Sequence, residues 1–308
     1  MALRHYLVDC LGRVRDCMQD NMTHLLGTTI DTVSERSIGR LLLQLGKISP
    51  HDAEAILRAQ QDLGLRFGDA ALKLKLITEA DISQVLSMQF NYPYLHAGQG
   101  NYSAELVAAY QPFSQQVEEL RVLRSQVMMR WINEGYKSLA IVSVNEGEGA
   151  SFLAANLAIV FSQLGQRTLL IDANLRDPRQ HKIFNLKEKL GLSDTLADRA
   201  TMSVVTKVDS FVDLSVLGAG TLPPNPQELL NRDVFASFMH AAASEYDVIL
   251  IDSTPASFIA DVQATVARCG GALIVSRLNH TRLSDVAEVR SQISMTGARV
   301  VGSVINDF

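Results

Sequence analysis

Long apolar runs are missing from this 308-residue chain. No stretch approaches the roughly 20 residues that a bilayer span needs. The opening MALRHYLVDCLGRVRDCMQD is broken by charge throughout, so it holds no secretory h-region. Cysteine is scarce: Cys10, Cys17 and Cys269 are odd in number and fit no metal spacing, which excludes a disulfide framework and leaves free thiols. A basic excess is absent too. The net charge of −5 and pI near 5.8 exclude a general nucleic-acid binder. What is present, 47% hydrophobic and 20% charged residues, is the balance of a folded globular chain with room for one large domain and one small one. The expectation is a cytoplasmic protein that reaches a membrane only through a partner.

One further absence stands inside a motif. SVNEGEGASFLAANL (143–157) has the form of a strand, a glycine loop and a helix, the arrangement that turns backbone N–H groups and a helix N-terminus toward phosphate. Gly147, Glu148, Gly149, Ser151 and Phe152 are the candidate nucleotide-binding residues, and the Ser151 hydroxyl is placed to ligate Mg²⁺. Where such loops carry lysine, this chain has Ala150.

The front of the chain contains a repeat. SIGRLLLQLGKISPHDAEAILRAQ (37–60) and RFGDAALKLKLITEADISQVLSMQ (66–89) align at an offset of 29, matching Gly39 with Gly68, Ile48 with Ile77, Asp52 with Asp81, Ile56 with Val85 and Gln60 with Gln89. Each copy reads as two helices joined by a turn, with Ser49 and Thr78 as N-caps and Pro50 at the first helical position. The repeat resembles the N-terminal domain of type II secretion and type IV pilus ATPases, some of which bind cyclic di-GMP. That resemblance implies Arg66, Gly39, Gly68, Gln60 and Gln89 as ligand residues. Ser37 and Lys75 depart from it, standing where the pattern has arginine and glycine. A protein-docking module is the other reading.

The expected organisation is an N-terminal helical segment over 1–30, the tandem helical-hairpin domain over 31–95, a linker over 96–114 and a nucleotide-binding domain over 115–308. In the last, apolar runs at 137–145, 167–173, 213–219, 246–253, 271–277 and 298–305 alternate with helical patterns at 151–164 and 281–296. Buried strands separated by helices predict an α/β fold with a parallel sheet and helices on both faces. Ligands in such sheets sit at the strand carboxyl ends. There TLLIDANLRDPRQH places Asp172, followed by Asn174 and Arg176, and VILIDSTP places Asp252. Two carboxylates beside a phosphate cradle suit a hydrated Mg²⁺.

These three motifs resemble the Walker A, A′ and B motifs of the bacterial tyrosine kinases that work with exopolysaccharide chain-length regulators. GLSDTLADRA (191–200) and GAGTLPPNPQELL (218–230) resemble their middle region, and Glu118, Arg121 and Arg124 match their E-x-x-R-x-x-R oligomerisation element. The front repeat makes the chain similar to the stand-alone kinases of exosortase-linked clusters. The fold implied is the P-loop type shared with partition and division-site ATPases. The activity implied is an ATP-dependent tyrosine autokinase with Mg²⁺ and ATP or ADP, Asp172 and Asp252 as catalytic and metal residues, and Arg176 at the nucleotide. The partners implied are a separate membrane-embedded chain-length regulator at the inner membrane and further copies in a ring; no nucleic acid is implied. Ala150 implies impaired turnover, and a pseudokinase scaffold is the alternative. With a tail ending VVGSVINDF, the expected phosphate acceptors are Tyr92, Tyr94, Tyr102 and Tyr110.

Overall fold

The computed structural model describes residues 38–79, 81–82, 85–86, 94–95 and 99–308. They fall into two compact units that divide at residue 90.

In the first unit, helices α1 (Ile38–Gln44), α2 (Pro50–Leu63) and α3 (Phe67–Lys73) enclose a small core. Its buried residues include repeat-related partners: Ile48 with Ile77, Ile56 with Val85, and Leu42 with Ala71. Both copies close their second helix with the same reciprocal cap. The Asp52 N–H donates to Ser49 Oγ at 3.2 Å and the Ser49 N–H to Asp52 Oδ2 at 2.9 Å; Asp81 and Thr78 repeat both distances. Such a cap contributes about 1 kcal/mol. Lys47 adds an ion pair to Asp81 at 2.7 Å, and hydrogen bonds from Lys47 and Thr78 pull the Asp81 carboxyl down to about 2. Gly46 turns the chain at φ +66°, and at the equivalent point Lys75 takes φ +56°. The second copy keeps the left-handed turn without its glycine.

The second unit is built on a seven-stranded sheet in the order β3-β4-β2-β5-β1-β6-β7. The strands are β1 (Ser138–Ser143), β2 (Thr168–Asp172), β3 (Thr206–Lys207), β4 (Leu214–Leu217), β5 (Val248–Asp252), β6 (Gly271–Arg277) and β7 (Arg299–Asn306). All pair in parallel except the short edge strand β3, which runs antiparallel to β4. Successive strand residues enter opposite cores. Leu139, Ile141, Leu170 and Leu250 join one apolar cluster, while Ala140, Val142, Leu169 and Ile249 join the other. Burial on both faces explains why these strands read as continuous apolar runs.

The segment expected as a linker, 96–114, packs in its described part. Its described part belongs to the second unit, with Leu106, Ala108 and Ala109 fully buried and a one-turn helix α4 at Val107–Tyr110. Asn156, buried in the helix that follows the glycine loop, accepts from the Ala108 N–H at 2.9 Å and donates to the Glu105 carbonyl at 2.8 Å. A side-chain amide thus supplies the hydrogen bonds that an isolated loop would lack. Helix α5 (Gln115–Arg130) follows and ends on buried Trp131, whose ring lies where a side chain at Gly271 would have to be. Among the described residues no helix is long and apolar enough to cross a membrane.

Candidate active site

The loop after β1 delivers its chain into helix α6 (Ala150–Ser162). Gly147 has φ +76° and Gly149, the N-cap, has φ +88°; a Cβ on Gly149 would meet Asn306 Nδ2 at 2.7 Å. Only glycine suits that backbone and that approach. Glu148 is turned inward. Its carboxylate accepts from the Asn145 N–H at 2.9 Å, from Asn145 Nδ2 at 2.8 Å and from the Thr281 hydroxyl, while its carbonyl accepts from Asn306 Nδ2 at 2.7 Å. Its side chain therefore shapes the loop, leaving the backbone to meet an anion. Ala150 and Ser151 border a cavity of about 320 Å³ together with Gly147, Asn174 and Ser253. Phe152 faces the neighbouring, larger groove of about 660 Å³ that runs along α5 and the end of β7.

Asp172 and Asp252 end adjacent strands in register, and both are fully buried. Asp172 accepts from the N–H groups of Asn174 (3.2 Å), Arg179 (3.0 Å) and Gln180 (2.9 Å). Asp252 accepts from Gln180 Nε2 at 2.8 Å through one oxygen, and its other oxygen has no partner. Desolvation pushes both carboxyls up: Asp172 well above its ordinary range, with the Asp252 charge adding to the effect, and Asp252 to about 6. Hydrogen bonds from Gln180 and Ser151 and the nearby charge of Arg179 hold Asp252 back from going higher. The buried hydroxyls of Ser253 and Thr254 and the Gln180 Oε1 are also unpartnered. Orphaned oxygens around a buried carboxylate fit a hydrated cation, which accepts oxygen donors and offers water protons.

Arg176 does not face this cavity. It is held by Asp261 (2.6 and 3.3 Å), which is 2% exposed, and lies over the Phe258 ring at 4.3 Å. Arg179, three residues on, borders both the cavity and the groove. Sequence reasoning missed it, because no base occurs within the loop motif itself. Asn174 accepts from the N–H groups of Arg176 and Asp177, so its oxygen forms the turn that follows Asp172.

The remaining candidates lie elsewhere. On α5, Arg121 pairs with Glu118 and donates to the Pro112 carbonyl at 2.6 Å, and Arg124 donates to the Val160 carbonyl at 2.9 Å. Both arginines tie α5 to their own chain. The two middle stretches clasp one another: Leu192 N–H donates to the Gly218 carbonyl (2.8 Å) and Thr221 N–H to buried Asp194 (3.0 Å). Tyr102 and Tyr110, expected to be exposed acceptors, are half-buried. Tyr102 packs edge-on to Phe184 with its hydroxyl 3.3 Å from Ser210 Oγ, and the Tyr110 hydroxyl donates to the Gln99 carbonyl at 2.8 Å. Tyr94 is half-buried as well, against Phe113, and Tyr92 lies outside the described residues. In the repeat, Arg66 is exposed and Gln60 half-buried, while Gln89 lies outside the described residues. Gly39 and Gly68 are close-packing positions: a Cβ there would meet the Phe67 ring at 3.1 Å and the Ile82 side chain at 3.2 Å.

A glycine-loop cradle beside two strand-end carboxylates on a parallel sheet defines a nucleotide-binding α/β protein. No family model matches the chain. The tyrosine-protein kinase YwqD of Bacillus subtilis is 31% identical over 201 residues, 65% of this chain and 85% of that protein. CapB of Staphylococcus aureus is 34% identical over 189 residues, 61% of this chain and 83% of that one. The kinase domain of the Escherichia coli tyrosine kinase ETK superposes with a TM-score of 0.63 at 27% identity, covering 66% of this chain and 79% of that domain. The chain belongs to the bacterial tyrosine-protein kinases.

Proposed function

We propose that the second unit binds Mg²⁺ with ATP or ADP and acts in exopolysaccharide polymerisation and export as a tyrosine autokinase whose turnover is impaired by Ala150. The observation that carries the nucleotide reading is the buried, half-unpartnered Asp252 set beside the N-terminus of α6. Ser151 and Asp252 would hold the metal, with Asp172 fixing the loop around it. When bound, the metal offsets charge on the transferring phosphoryl group. The chain's own part is to receive phosphate oxygens on the N–H groups of 147–152 and to exclude water at a buried strand edge. A lysine at position 150 would add a charge to the β- and γ-phosphates, and loss of such a contact typically costs about 10²–10³ in rate.

Nucleotide titration and autophosphorylation of this chain and of Ala150→Lys test the proposal. The expected result is that Ala150→Lys binds more tightly and labels its own tyrosines. If neither chain binds nucleotide, the reading fails. A second reading, a scaffold that binds a membrane chain-length regulator without phosphorylating it, is favoured by the packed state of Tyr102 and Tyr110. It predicts that Ala150→Lys awakens no labelling. Self-association through the Glu118, Arg121 and Arg124 element of α5 stays part of this proposal, with Glu118 exposed on that helix. For the front repeat we retain the likeness to secretion-ATPase domains and the boundaries at 31–95. A cyclic di-GMP site there would rest on Arg66, since Gly39 and Gly68 are occupied by packing, and a calorimetric titration without heat would dismiss it.

A further inference from the structure

The cradle needs a cation that its own loop does not contain. Glu146 and Asp177 border the cavity as well, so an incoming polyphosphate meets acids there in addition to backbone donors. Of the residues lining the cavity, Arg179 is the basic one, and it stands on the same border as Gly147 and Gly149. Its backbone N–H is fastened to Asp172, which fixes where the side chain starts. Its guanidinium donates to both Glu105 oxygens, at 2.8 and 3.0 Å.

The two arginines of this loop differ in how firmly they are held. Arg176 grips a carboxylate that is 2% exposed and is covered by an aromatic ring. Breaking that pair would strand a buried charge. The Arg179–Glu105 pair is 44% and 39% exposed at its two ends, so water screens it and it contributes little to stability. Glu105 engages Nη2 of the guanidinium through both its oxygens, whereas a phosphate carries more charge and can accept a bidentate fork, so it can displace Glu105.

We propose that Arg179 is the phosphate-binding cation of this chain, standing in for the lysine absent at Ala150, and that Glu105 holds it aside until a nucleotide polyphosphate enters. This rests on the nucleotide-site reading above. It assigns a function to the segment around Glu105, which covers α6 and carries the residue that competes with the ligand.

The test is titration of the full chain with Mg²⁺ and ATP, ADP or AMP, alongside Arg179→Ala, Arg179→Lys, Glu105→Gln, the Glu105→Gln/Arg179→Ala pair and Ala150→Lys. Thermal midpoints close to the parent's establish that the exposed substitutions leave the fold intact. Arg179→Ala is expected to weaken ATP and ADP about tenfold or more, the scale of one charge-assisted contact, with AMP little changed. Arg179→Lys should recover part of the loss. Glu105→Gln should tighten ATP about threefold, and the double variant should behave as Arg179→Ala alone. If Arg179→Ala binds ATP as the parent does, the proposal is overturned and the nucleotide site stands. If the parent is silent and Ala150→Lys binds, the cradle is right and Arg179 does not substitute. If no chain binds, both fall together.

Discussion

The ends of β2 and β5 carry the same residue at the same level of the sheet, yet Asp172 and Asp252 have different duties. Asp172 is enclosed by three backbone N–H donors, all from residues 174–180. It is the post around which that loop is wound. Asp252 receives the Gln180 amide and a hydrogen bond from Ser151, and keeps one oxygen without a partner. Two carboxylates that look equivalent as motif residues divide into one that builds the site and one that remains available to a ligand. Gln180 links them, its N–H on Asp172 and its side chain on Asp252.

The sharpest way to break this contrast is to remove each carboxylate in turn. Asp172→Ala strands up to three N–H groups, so unfolding in urea should show a loss of about 2–4 kcal/mol. A loss below 1 kcal/mol would mean that the loop holds itself. Asp252→Asn should act in the opposite direction. The Asp252 carboxyl, raised to about 6 by burial, binds protons in the folded chain that it gives up when unfolded. Stability supplied by the neutral form is therefore lost as pH rises from about 4 through about 6. Relative to the parent, Asp252→Asn should gain about 1–3 kcal/mol at pH 8 and nothing at pH 4, while nucleotide binding loses its Mg²⁺ dependence. An unchanged Mg²⁺ dependence would count against Asp252 as a metal ligand. The smallest effect belongs to Gln180→Met, which leaves the backbone bond to Asp172 and removes the side-chain bonds to Asp252 and to the Ser151 carbonyl. A loss of about 0.5–1 kcal/mol is expected, since Oε1 was unpartnered in any case. A loss as large as that of Asp172→Ala would erase the distinction between the two strand ends.

The parallel sheet was legible because its strands are buried on both sides, and the runs read at 167–173, 246–253 and 271–277 contain β2, β5 and β6. The glycine loop and both aspartates were legible because each sits where a strand stops. What escaped depends on partners distant in sequence. Strand β3 is two residues long and exists through pairing with Val216 and Ser215. The segment taken for a linker is ordered by Asn156, some 50 positions away, and its Ala108 and Ala109 give no apolar periodicity. Motif position points Arg176 to the nucleotide, but Asp261 on a later helix holds it. The place of Arg179 depends on Glu105, 74 positions away in the sequence.

The inward turn of Glu148 has a bearing on how this protein would meet its ligand. An acid in an anion loop looks like a mistake until its carboxylate is seen gripping Asn145 and Thr281 from within. The curl of the loop is set by these bonds before any phosphate arrives. Little ordering entropy is left for the encounter, so association should proceed without a slow rearranging phase. An incoming ligand meets a finished mould.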